Sequence, residues 1–116
     1  MALTPRQLAQ KAAELAASKK AEDILLMDLR RVAHFTDYFV LCTATSDVQM
    51  RAVADAIVEG LEKNQHRVWH SEGYEARRWI LLDYVHVVVH VFLPEVRAYY
   101  ALEKLWGDAP IEAYGS

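Results

Sequence analysis

The sequence predicts an α/β fold, a single domain in which a mixed β-sheet of about five strands is flanked by helices. Three observations carry that expectation. The stretch Trp79 to Trp106, WILLDYVHVVVHVFLPEVRAYYALEKLW, sets two segments rich in branched and aromatic residues, Trp79 to Tyr84 and Val85 to Phe92, before a proline-started helix. Two further runs, Ile24 to Leu29 and Tyr38 to Thr45, are apolar on both faces of a strand, as strands inside a covered sheet are. Two longer segments repeat apolar residues at helical spacing behind cap signals.

In chain order, Thr4 caps a first helix with Pro5 at its first position and Gln7 placed for a capping box; Leu8, Ala12 and Leu15 recur on one face as far as about Lys20. The strands Ile24 to Leu29 and Tyr38 to Thr45 follow. Ser46 and Gln49 repeat the box, Val53, Ala56, Ile57 and Leu61 form the stripe of a second helix, and Asn64 stops it by taking the left-handed conformation. Arg67 to His70 reads as a short strand and Glu72-Gly73 as a turn, ahead of the strand pair and final helix. Residues 1–107 are expected to form the domain and residues 108–116 a C-terminal tail.

At 116 residues, 53% hydrophobic and 25% charged, the chain suits one compact soluble domain. A net charge of −3 gives no bulk attraction to phosphates, so no dominant direct RNA contact is expected. The single Cys42 excludes an intrachain disulfide, and neither a secretory signal nor a run of roughly 18 apolar residues is present, which leads to the expectation of a cytoplasmic protein.

No enzymatic constellation emerges. His86 and His90 have a spacing that joins two ligands on a helix, but the valines between them impose a strand and separate the rings by ~13 Å, too far for one metal ion. Cys42 lies within an apolar strand, where a thiol is an inert small hydrophobe. Asp28, Asp37 and Asp83 sit near strand ends without the paired carboxylates of a metal clamp, so caps and turn bonds are their expected jobs. The glycines are scattered and build no phosphate loop. No catalytic residue, metal or cofactor is expected.

The final helix says more. On a wheel centred on Leu102, Ala98, Tyr99, Leu105 and Trp106 fall within about 60°, a core face, while Tyr100 falls about 160° away. An aromatic so placed has no core role and suits a protein interface. Trp79 shares a strand face with Asp83, which makes it either a partly exposed aromatic or core beneath a helix. The acidic residues Glu72, Glu75, Asp83, Glu95 and Glu103 surround these aromatics in sequence, as a solvated face or as a surface matched to a basic partner.

Several runs together resemble the ribosomal silencing factor family, also called Iojap-like: DILLMDL (Asp23 to Leu29), FTDYF (Phe35 to Phe39), Thr45-Ser46, Glu72-Gly73, WILLDY (Trp79 to Tyr84), VVVHVFL (Val87 to Leu93) and YALEKLW (Tyr100 to Trp106). They span most of the chain in the family's order. The resemblance implies a nucleotidyltransferase-like fold without the catalytic carboxylates. It also implies a non-enzymatic translation repressor that binds the large ribosomal subunit through its fourteenth protein and blocks joining of the small subunit when nutrients are scarce. The family's aromatic contacts fall on Trp79 and Tyr100, and Asp83 and Glu103 are expected beside them; a homodimer of the free protein is a further expectation. Two positions depart from the family. Val85-His86 replaces a usual Gly-Asp, where a tight turn with positive φ is strained by Val, and Asp47-Val48 replaces a more polar, often basic pair. A nucleotide-handling enzyme and a dimeric adaptor module are the alternative readings.

Overall fold

The structure, a computed structural model, describes residues 2–115. Its elements are α1 (Pro5–Ser18), β1 (Glu22–Asp28), β2 (Tyr38–Thr43), α2 (Asp47–Lys63), β3 (His70–Glu72), β4 (Trp79–Asp83), β5 (Val87–Phe92), α3 (Pro94–Tyr100), α4 (Leu102–Leu105) and β6 (Ile111–Ala113). They build one six-stranded sheet in the order β3-β4-β5-β2-β1-β6, in which β2 and β5 run parallel and every other neighbouring pair antiparallel. The α/β class and the mixed sheet are as the sequence predicts, with one strand more than the expected five.

The extra strand lies in the segment expected to be a tail. Within residues 108–116, Ile111–Ala113 pairs with Met27, Leu26 and Leu25 of β1, and Glu112 takes an ion pair from Arg6 at 2.9 Å. Three residues are too few to show a period of two, so only the apolar character of β1 on both faces hinted that its outer edge needed a partner. β3 also lies further along the chain than the predicted Arg67 to His70. Its residues are all exposed, and a short polar edge of this kind resists pairing with another chain.

The helix starts follow the sequence closely. Thr4 Oγ1 accepts from the Gln7 N–H and Gln7 Oε1 accepts from the Thr4 N–H, closing the capping box. At α2 the Ser46 hydroxyl accepts from the Gln49 N–H, but the Gln49 side chain goes elsewhere, accepting from the Thr45 N–H at 2.8 Å and donating to the Lys19 and Lys20 carbonyls. The second box is therefore not reciprocal; its glutamine ties the start of α2 to the end of α1. Asn64 does stop α2, with a φ of −97° instead of the expected left-handed conformation, which passes to Gln65 at 64°.

The larger correction concerns the final helix. Ala101 adopts φ 46° and ψ 54°, a left-handed residue that divides the segment into α3 and α4 and breaks the phase of the wheel. Tyr99 and Leu105, placed by the wheel on a core face, are 81% and 69% exposed, and Ala98 is exposed as well. Leu102 is buried and Trp106 half-buried; the residues of α3 that turn inward are Val96 and Arg97.

The two sheet faces are covered unequally. α1 and α2 lie over one face, packing on Ile24, Leu26, Val40, Cys42, Leu82 and Val89, and Gly60 lets them close, since a Cβ there would press into Leu15. The opposite face, with Met27, Phe39, Leu41, Val88 and Phe92, is covered by Val96, Leu102, Trp106 and the connection after Leu29. His90 is on this second face, 3% exposed, with Phe39 edge-on at 4.5 Å and Phe92 stacked at 5.9 Å. Burial pushes its imidazole down to about 3.

Two predictions come from this fold. The unfolded chain protonates His90 near 6.5, whereas the folded chain holds it neutral to about 3, so the unfolded state takes up the extra proton between these values. The stability linked to the neutral ring is complete above the upper value and declines as pH falls, by up to ~1.4 kcal/mol per pH unit. Urea unfolding at stepped pH should therefore give a steeper acid decline for the wild type than for His90→Asn; parallel profiles would contradict this. Secondly, Val85 sits at φ 73° with its N–H donating to Asp83 Oδ1 at 2.7 Å. Val85→Gly should raise stability by about 1 kcal/mol, the ~1–2 kcal/mol cost of a left-handed side chain less the added backbone entropy of Gly. A lowered denaturation midpoint would count against strain at this turn.

Candidate partner-binding site

Trp79 opens β4 and lies directly across from Phe92, the last residue of β5. Pro94 then starts α3 two residues on, so the helix begins beside the Trp79 end of the sheet. Within α3 alone, Tyr100 comes four residues after the buried Val96 and so shares its face. That is why the Tyr100 ring reaches Trp79, with centroids 4.7 Å apart, yet remains 50% exposed at the end of the helix. Tyr99 stands edge-on to Tyr100 at 5.1 Å.

Together with Arg78, Glu95 and Val96, these rings line a surface hollow of about 440 Å³. Its lining is mainly aromatic and apolar, and Arg78 and Glu95 add one residue of each charge. A concave apolar surface with a few polar groups suits the seating of a partner's side chains. Trp79 is half-buried, as its inner edge is committed: the indole packs on Phe92 at 5.0 Å and its Nε1–H donates to His90 Nδ1 at 3.1 Å.

The backbone at this site has little latitude. Gly73 has a φ of 89°, and a Cβ there would collide with the Trp79 carbonyl oxygen. Only a glycine lets the chain after β3 pass so close to the first residue of β4.

The expected site residues divide into two groups. Trp79 and Tyr100 come together. Asp83 is at the other end of β4, where its carboxylate accepts from the Val85 N–H. Glu103 bonds inward, accepting from Arg97 Nε at 3.2 Å, while Arg97 Nη1 donates to the Asp23 carbonyl and to Thr43 Oγ1 at 2.7 and 2.8 Å. The acidic residues near the aromatics in sequence also disperse: Glu72 pairs with His70, and of the five only Glu95 lines the hollow. Sequence reasoning missed Tyr99 and Val96, because the wheel ran through Ala101 as if the helix were continuous, and Arg78, which lies just before β4, was never on that wheel.

The residues weighed for chemistry have structural work. Asp28 is held below the usual carboxylate range by its hydrogen bonds from Arg30, Asp37 faces His86 at 3.4 Å, and Asp83 caps its turn. Burial pushes the Cys42 thiol up to about 12, which suppresses the thiolate. His86 lies in the exposed turn before β5, and His90 is turned toward Trp79. Among the described residues, no three His, Cys, Asp or Glu side chains converge as metal ligands, and no helix is long and apolar enough to cross a membrane.

Comparison with known proteins places this geometry in a family. A family model described as "Ribosomal silencing factor during starvation" matches residues 2–115. The chain is 45% identical over 100 residues to the ribosomal silencing factor RsfS of Bacillus subtilis, covering 86% of this chain and 85% of that one. It is 40% identical to the chloroplastic protein Iojap of Zea mays, covering 86% of this chain and 44% of the maize protein. A Mus musculus protein named "Mitochondrial assembly of ribosomal large subunit protein 1" is 33% identical over 79% of this chain and 42% of its own. A crystal structure of a Chromobacterium violaceum protein superimposes with a TM-score of 0.88 at 30% identity, covering 98% of this chain and 95% of that one. A crystal structure from Bacillus halodurans does so with a TM-score of 0.81 at 36% identity, covering 92% and 97%. The chain belongs to the ribosomal silencing factor family, whose members include the Iojap proteins.

Proposed function

We propose that this ribosomal silencing factor is a non-enzymatic cytoplasmic protein that binds the large ribosomal subunit through its fourteenth protein and sterically prevents the small subunit from joining, lowering translation under nutrient limitation. The observation that carries the reading is the half-exposed aromatic pair Trp79 and Tyr100 at a surface hollow. Aromatic anchors in such pockets supply much of the binding energy at protein interfaces. The net charge of −3 favours a protein contact over an extended grip on ribosomal RNA. A mouse relative is named for assembly of the ribosomal large subunit, which supports that subunit as the partner.

Trp79 and Tyr100 make the aromatic contacts in this reading. Asp83 and Glu103, whose carboxylates also hold a turn and a guanidinium, are proposed as acidic partner contacts away from the hollow. The free protein is proposed to form a homodimer, with the ribosome-bound form defined by the aromatic contact.

Sedimentation with separated subunits tests the proposal. The protein should travel with the large subunit and reduce its joining to the small one; binding to the small subunit alone would sink it. Trp79→Ala and Tyr100→Ala should each weaken binding by about 1–4 kcal/mol. Tyr100→Ala should leave the thermal midpoint nearly unchanged, whereas Trp79→Ala should lower it, because its inner edge packs on Phe92. Ile57→Ala, on the far side of the sheet, is the control: it should cost about 2–5 kcal/mol of stability and leave the affinity of the folded protein intact. Wild-type affinity in both aromatic variants would exclude this surface.

A further inference from the structure

We propose that His90 is a positioning residue of the binding surface: its Nδ1 holds the Trp79 indole in the pose that meets the partner. The inference rests on the reading of Trp79 as a partner anchor. β4 and β5 put Trp79 opposite Phe92 and Leu81 opposite His90, so the imidazole lies diagonally across the strands from the indole. The Trp79 Nε1–H donates to His90 Nδ1 at 3.1 Å, which requires a neutral ring with its proton on Nε2. That Nε2 is buried and has no hydrogen-bond partner among the described residues.

A buried donor without an acceptor costs stability, and an apolar side chain would fill the space between Phe39 and Phe92 without that penalty. The hydrogen bond to Trp79 is thus the one polar interaction that histidine supplies at this position, and it acts on the inner edge of the indole. Phe92 packs beside the ring and Tyr100 lies against it, and the hydrogen bond from the indole N–H goes to His90 Nδ1. In the orientation held by His90, the indole N–H is satisfied while the ring remains half-exposed beside Tyr100.

The distinguishing signature is a variant that keeps its stability and loses affinity. His90→Leu removes the acceptor and fills similar volume with apolar atoms; His90→Asn puts an amide oxygen close to the position of Nδ1. The expected result is a thermal midpoint for His90→Leu at or above the wild type, with affinity for purified large subunits reduced about three- to tenfold, as loss of one hydrogen bond implies. His90→Asn should bind within about twofold of the wild type, since one acceptor replaces another. In nitrogen-15 spectra the Trp79 indole N–H, assigned through Trp79→Phe, should be protected from exchange in the wild type and in His90→Asn, and lose that protection in His90→Leu. Wild-type affinity of His90→Leu alongside weak binding by Trp79→Ala would overturn the positioning role and leave the binding site standing. Wild-type affinity of Trp79→Ala would overturn both. An unprotected Trp79 indole N–H in the wild type would overturn the inference without any variant having to fold.

Discussion

The parallel pairing of β2 with β5 is the constraint on which the rest of the structure depends. Tyr38 aligns with Val87 and Thr43 with Phe92, and every residue of both strands is buried. A central pair of this kind must be covered on both faces. α1 and α2 cover one face with long amphipathic surfaces. The other receives only two short helices and a connection, because Ala101 ends α3 after seven residues. The hollow at Trp79 and Tyr100 lies at the margin of this thinner layer.

Along that face the aromatic rings form a connected series. Tyr99 touches Tyr100, Tyr100 touches Trp79, and Trp79 packs on Phe92 and His90. His90 meets Phe39, which packs against Trp106 and the exposed Phe35. The series passes from solvent into the core and out again. Its inner members have close-packed neighbours that restrict their rotamers, and this rigidity reaches Trp79 at the margin. An anchor ordered before binding loses less side-chain entropy when a partner arrives. Tyr99, outermost and 81% exposed, has the least such support.

What was legible in the sequence follows from the range of each signal. Caps depend on neighbours three residues apart, and the Thr4 and Ser46 starts appear as predicted. Strands that are apolar on both faces announce themselves, so β1, β2, β4 and β5 were readable to within a few residues. β6 was not, because its three residues become a strand only when β1 offers an edge. The break at Ala101 was equally hidden: alanine favours helix, and it turns left-handed here in a segment where Arg97 is drawn inward to Asp23, Thr43 and Glu103. Tyr100 was thus singled out through a wheel that did not apply, and its exposure has another cause, its position at the terminus of α3. The match of its run to the family was independent of that wheel.

The two ends of β4 tolerate change differently. At the far end, Val85 occupies a left-handed position, and the turn persists because Asp83 holds the Val85 N–H and the Tyr84 N–H bonds to the Val87 carbonyl. The strain is local, since the side chain points to solvent at 49% exposure and displaces nothing buried. At the near end a side chain on Gly73 would strike the Trp79 carbonyl, which is fixed in the sheet and cannot yield as a flexible side chain can. Four residues of strand, ~13 Å, separate the two turns. The valine at position 85 therefore taxes stability and leaves the aromatic surface in place, whereas a side chain at position 73 must move the residue on which that surface is built.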